Sequence, residues 1–287
     1  MNILVTGANG QLGTHLRLLA DRASTNRWLF SDIDSLDITD AEAVASFVDG
    51  NGIECIVNCA AYTNVDAAEE AEEAADRVNH GAVAVLADAM ASRGGLLVHI
   101  STDYVFGGND LNTPCNESTP VNPLGAYGRT KLAGEQALLA SSCRHIIIRT
   151  SWLYSEYGRN FVKTMLNLFA TRPSVNVVCD QIGTPTYAGD LAAAIFTILE
   201  SGLYNGNEGL YHYSNEGSCS WFDFAVAIAR RAGAECDVRP CRSSEYPSKV
   251  RRPSYSVLDK SKFKASFHID IPEWEASLGK CLENLAR

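Results

Sequence analysis

The sequence predicts a doubly wound α/β fold, and three observations carry that prediction. A glycine-rich turn, GANGQLG, sits between an apolar run and a helical pattern near the start of the chain. Short runs that are apolar throughout recur along the first half, as buried parallel strands require. Helix-favouring segments separate them, and strands alternating with helices specify a mainly parallel sheet covered on both faces.

The elements follow in order. NILVT (2–6) reads as the first strand, and QLGTHLRLLA, with leucines at helical spacing, as the first helix. Trp28 to Phe30, Cys55 to Cys59, Leu96 to Ile100 and His145 to Thr150 are the next strand candidates. VDAAEEAEEAADRVNHGAVAVLADAMA, rich in alanine and glutamate, favours helix strongly. Beyond about Thr150 the pattern loosens into SWLYSEYGRN, VNVVCD, DQIGTPTYAGDLAAAIF and the aromatic YHYSNEGSCSWFDFA. We therefore assign 1–150 to a dinucleotide-binding, Rossmann-like domain, with late sheet elements from about 174–200. Residues 151–287 form mainly a smaller C-terminal substrate lobe, interleaved with it.

Composition narrows the function. The chain has 287 residues, 46% hydrophobic and 20% charged, enough to bury a large core. A net charge of -10 argues against a phosphate-backbone binder and for small molecules as partners. The start MNILVTG lacks a basic stretch before an apolar one, and no long uncharged apolar run follows, so a cytoplasmic protein without membrane attachment is expected. The 9 cysteines are scattered without a C-x-x-C pair, which fits reduced, buried side chains better than a disulfide framework or structural zinc.

Gly7, Gly10 and Gly13 provide an unusual backbone turn, a close approach to a pyrophosphate and tight packing of helix on strand. The helix N-terminus behind them offers free N–H groups to phosphates. The G-x-x-G-x-x-G spacing resembles the extended short-chain dehydrogenase/reductase superfamily. Asp32 ends the second apolar run, where a carboxylate accepts from an adenosine ribose hydroxyl and repels a 2'-phosphate; Asp34 is its alternative. NADH is thus favoured, while Arg27 leaves NADPH open.

Tyr127 and Lys131 form Y-x-x-x-K, and an i,i+4 separation puts both on one helical face. A phenol titrates near ~10, and a neighbouring ammonium stabilises its ionised form for proton transfer. The strand LLVHIST ends at Ser101 and Thr102, beyond which open sheets place ligand groups. A Thr102 hydroxyl, with Ser101 as the alternative, can then polarise a carbonyl beside Tyr127. His99 and His145, inside apolar strands, read as structural.

GANGQLG, LDITD, VNCAAYTNVDAAE, STDYVFGG, YGRTKLAGE, RTSWLY, DQIGTPTYAGDLA and RRPSYSVLDKSKF together resemble the dTDP-4-dehydrorhamnose reductase family, over nearly the whole chain. The resemblance implies Thr102, Tyr127 and Lys131 as the catalytic triad. It also implies a dinucleotide site lined by Gly10, Gln11, Leu12, Asp32, Asp37, Ile38, Ala61, Tyr62 and Thr63. Tyr104 and Trp152 would contact the deoxysugar, with Asn160 and Arg252 towards the nucleotide-sugar end. The implied reaction is hydride transfer from NADH or NADPH to the C4 ketone of dTDP-4-dehydro-L-rhamnose, with Tyr127 as proton donor. An epimerase or dehydratase of the same superfamily, or a non-catalytic nucleotide-binding regulatory subunit, is the alternative. The resemblance also allows a homodimer. Some relatives place an acid early in the first helix for a shared magnesium; this chain has His15, so no metal ligand is expected.

Overall fold

Runs in which every side chain is apolar need a sheet covered on both faces. The structure, a computed structural model that describes residues 1–108, 112–246 and 250–286, builds one. Its six parallel strands are β1 (Asn2–Thr6), β2 (Arg27–Phe30), β3 (Cys55–Asn58), β4 (Leu96–Thr102), β5 (Arg144–Thr150) and a last strand, Gly209–His212. The spatial order is Gly209–His212, β5, β4, β3, β1, β2, so the direction of winding reverses beside β1. Such a reversal opens a crevice at the carboxyl ends of the strands.

Alternation along each strand sends side chains to opposite faces. Ile3, Val5, Val57, Val98 and Ile148 join one core cluster with α1 (Gln11–Ala23) and the helix Ala188–Glu200. Leu4, Ile56, Leu97 and Ile147 join the other, against Val44, Val48 and the helix Ala82–Ala91. A third cluster lies apart from the sheet and contains Tyr154, Phe169, Phe224 and Trp274. Of the 174–200 stretch expected to supply late sheet elements, Ser174–Val178 pairs with Asp237–Cys241 instead, and only Ala188–Glu200 packs on the main sheet. The sixth strand comes from Gly209–His212, whose pairing with β5 was not legible in a run broken by histidine and tyrosine.

The helix-favouring stretch 65–91 is four pieces: Val65–Ala68, Glu72–Asp76, a π-helical turn Arg77–Gly81 and Ala82–Ala91. The turn points Asn79 inward, where its side chain holds the backbone of Tyr62 and the Thr130 hydroxyl. Asn79 thereby braces the helix Ala126–Ala140, which carries Tyr127 and Lys131. The closest approach is at Gly134, where a Cβ would fall 2.1 Å from the Asn79 carbonyl oxygen. A π-turn that seats a functional helix is a frequent use of this geometry.

Candidate active site

A cleft of about 950 Å³ lies over the carboxyl ends of β1, β3 and β4. Its floor begins at the glycine turn. Gly7 has φ +63°, and a Cβ there would lie 2.7 Å from the Ala60 backbone. At Gly13 a Cβ would lie 2.6 Å from Ala8 Cα, so this glycine serves the packing of α1 on the turn and does not line the cleft. The N-cap of α1 is Gly10, with no capping side chain, which leaves the first N–H groups of the helix free for an anion. This cradle fits a dinucleotide pyrophosphate.

Gly7, Gly10, Gln11, Leu12 and Asp32 all line the cleft, as do Asp37, Ile38, Ala61 and Thr63. Asp32 accepts from the N–H of Asn9 and of Ile33, each at 2.9 Å, and so ties the end of β2 to the glycine turn. Asp37 accepts from the Thr39 backbone and hydroxyl, which hold its carboxyl below the usual range. Tyr62 is on a different footing: its backbone is clamped by Asn79 and its ring packs near Ala68, Ala75 and Ala126, outside the cleft wall. Arg27 opens β2 beside Asn2, at the strand end remote from the cleft, and cannot offset the charge of Asp32.

The catalytic candidates meet on one wall. Thr102 ends β4, Tyr127 and Lys131 lie on the helix Ala126–Ala140, and all three line the cleft. Burial, with the nearby Asp103, pushes the Tyr127 phenol up to about 12, against the lowering influence of the Thr102 side chain beside it. Tyr127 therefore keeps its proton at neutral pH, the state a proton donor needs. Tyr104 meets Tyr127 edge to face, with ring centroids 5.4 Å apart.

The expected contact of ammonium with phenol is not what the structure contains. Lys131 Nζ donates to the Ile100 carbonyl at 2.7 Å and lies 3.3 Å from His99 Nε2. Burial takes Lys131 down to about 8, opposed by Glu135 and Cys59. Ser101, the alternative to Thr102, is committed elsewhere: its hydroxyl donates to Glu135, which forms a buried ion pair with Arg149 at 2.6 Å.

On the cleft wall, Trp152 stacks on Trp221, with centroids 3.6 Å apart and planes 10° from parallel. Trp152 has φ 48°, a strained conformation for a large residue, which packing of the stack must sustain. Trp221 also lines the cleft and was missed from the sequence, where nothing set it apart within the aromatic stretch YHYSNEGSCSWFDFA. Arg252 lines the cleft with its Nε buried and without a hydrogen-bond partner, and its nearest carboxylate, Asp66, is 3.8 Å away. A buried guanidinium N–H without a partner suits an anionic ligand. Asn160 lies outside the wall. It caps the helix Phe161–Thr171 and donates to Gln11 at 3.0 Å, so it positions a wall residue instead. Asp103, buried behind Thr102 and pushed up to about 6 by its burial, was also missed.

His15 turns inward, between the rings of Tyr157 and Tyr187 and 3.4 Å from Glu156. Among the described residues no helix is long and apolar enough to cross a membrane.

The family model described as "RmlD substrate binding domain" matches residues 1–287. A dTDP-4-dehydrorhamnose reductase of Mycolicibacterium smegmatis is 42% identical, over 96% of this chain and 83% of that protein. The crystal structure of a dTDP-4-dehydrorhamnose reductase from Clostridium acetobutylicum superposes with a TM-score of 0.95 at 40% identity, covering 100% of both chains. That of the Bacillus anthracis dTDP-4-dehydrorhamnose reductase in complex with NADP superposes at 0.92 with 38% identity, covering 99% of both.

Proposed function

The chain belongs to the RmlD substrate binding domain family, among the dTDP-4-dehydrorhamnose reductases, and from that membership we propose how its cleft works. The protein is an NAD(P)H-dependent reductase of dTDP-rhamnose synthesis, acting on the C4 ketone of dTDP-4-dehydro-L-rhamnose. The observation that carries the reading is a protonated Tyr127 beside Thr102 on the wall of a cleft floored by the glycine cradle.

When bound, the reduced nicotinamide supplies the hydride. The glycine turn and the N-terminus of α1 hold the pyrophosphate, and Asp32 with Asp37 takes the adenosine side. Thr102 fixes the ketone oxygen, and Tyr127 donates its proton to that oxygen as charge develops there. Lys131 holds the nicotinamide ribose and steadies the phenolate that remains. Trp152 and Trp221 give the sugar a flat apolar cover, Tyr104 closes its side, and Arg252 meets a phosphate of the diphosphate. The cytoplasm, where cofactor and nucleotide sugars are made, is the proposed location.

The test is a panel of 6-deoxy-4-keto nucleotide sugars with NADH or NADPH, followed by loss of absorbance of the reduced cofactor. Stoichiometric oxidation with the thymidine-linked sugar is expected. If no member of the panel consumes cofactor, the reading reverts to an epimerase or dehydratase that returns its hydride, or to a regulatory subunit.

A further inference from the structure

Behind Lys131 runs a buried polar line that the proposed reaction does not use. Asn58 Oδ1 accepts from the Thr6 hydroxyl at 2.7 Å and from the Ala60 backbone N–H at 3.2 Å. Asn58 Nδ2 lies 3.1 Å from His99 Nδ1, and His99 Nε2 lies 3.3 Å from Lys131 Nζ. Thr6, Asn58, His99 and Lys131 are all buried, so water does not rearrange these protons freely.

The polarity of this line follows from one group that cannot change. A backbone N–H is only a donor, so the Asn58 atom that faces Ala60 must be the amide oxygen. The opposite end of that amide is then NH₂, and it donates to His99 Nδ1. A ring nitrogen that accepts carries no proton, and burial keeps His99 neutral, so its one proton sits on Nε2. That N–H points at Lys131 Nζ. An ammonium has only hydrogens to offer, and N–H would face N–H; an amine has one lone pair and can accept.

We propose that His99 is a positioning residue for the Tyr127 and Lys131 pair: with Asn58 fixing its proton on Nε2, His99 hydrogen-bonds Lys131 as an amine and opposes its conversion to ammonium. The proposal rests on the reading of Lys131 as the partner of Tyr127. The other groups around Lys131 do not undo the effect. From β3 and its end come Asn58 and the neutral Cys59 thiol, whose pKa burial raises. From β4 come His99, the Ile100 carbonyl and Ser101. From its own helix come Tyr127, which is protonated, and Glu135. Among the described residues Glu135 is the one counter-charge there, and Arg149 on β5 already pairs with it through two hydrogen bonds. As an amine, Lys131 keeps one hydrogen on Ile100 and turns the other towards the cleft.

Imidazole and lysine nitrogen NMR on the cofactor-free full-length protein tests this without substrate. Expected are a protonated Nε2 and bare Nδ1 for His99, and a Lys131 midpoint about two units below that of exposed lysines, which titrate near ~10.4. His99→Gln can offer an amide oxygen to Lys131, so its midpoint, and with it the alkaline limb of kcat/KM, should rise by about one unit. Asn58→Asp should move the His99 proton to Nδ1, leave Nε2 as an acceptor and raise the midpoint further. A His99 proton found on Nδ1 in the unsubstituted protein overturns the proposal. So does a Lys131 midpoint near that of exposed lysines, or one that neither variant moves while both lower the melting temperature. A silent reductase assay with the tautomer as stated would count against the functional reading alone.

Discussion

The two ends of the cleft are built from different materials. Where the dinucleotide is proposed to lie, the wall is largely backbone: the turn from Gly7 to Gly10 and the uncapped start of α1, within a few residues of one another. Where the sugar is proposed to lie, it is built of side chains gathered from distant segments: Tyr104, Trp152, Trp221 and Arg252. Backbone donors at a helix start are set by local sequence and tolerate almost no added atom. Side-chain walls depend on how separate elements pack, and can lose one member while keeping their outline. The first end is therefore brittle and the second adjustable, which suits a common cofactor and a particular sugar.

Four changes would break or sharpen that contrast. The largest effect is expected between the two ends, at the reacting centre. Tyr127→Phe should lower kcat by about two or more orders of magnitude, with cofactor Kd nearly unchanged, because it removes only the proton donor; turnover close to that of the parent enzyme would reassign the acid. Next is Gly7→Ala. With φ +63° and the Ala60 backbone 2.7 Å from the new Cβ, it should weaken cofactor binding at least about tenfold and lower Tm, as calorimetry and a cofactor titration would register.

At the sugar end, Trp221→Ala removes the ring stacked on Trp152. An aromatic pair contributes about 0.5–1.5 kcal/mol beyond its area, so KM for the nucleotide sugar should rise up to about tenfold with cofactor Kd unmoved. An equal loss in both constants would mean that the ends are not independent. The smallest effect is expected for Asp32→Ala, which should shift the kcat/KM ratio of NADPH to NADH upward by several-fold, since it removes a carboxylate from the ribose side. For pH, the sign is set by Lys131: its charge is present below about 8 and lost above, so kcat/KM should fall as pH rises through that value.

Much of the cleft lining around the glycine turn was legible because its signals are contiguous. GANGQLG follows an apolar strand, Asp32 ends the next, and Y-x-x-x-K needs only the helical period to align its two side chains. The illegible parts were decided across long separations. Gly209–His212 becomes a sheet strand only because β5 offers it an edge, and the 65–91 stretch breaks into a π-turn so that Asn79 can reach both Tyr62 and Thr130. Asn160 reads as a ligand group in isolation, yet its amide is spent on Gln11 and a helix cap.

By itself, then, the chain's order of residues determined the doubly wound sheet, the tight glycine turn and the placing of Tyr127 and Lys131 on one helix, since each depends on a period or a steric rule acting over a few neighbours. Only the tertiary structure decided which groups surround Lys131, what stacks on Trp152 and which arginine N–H is left without a partner. Those facts are settled by burial, and burial brings together residues that no local spacing connects.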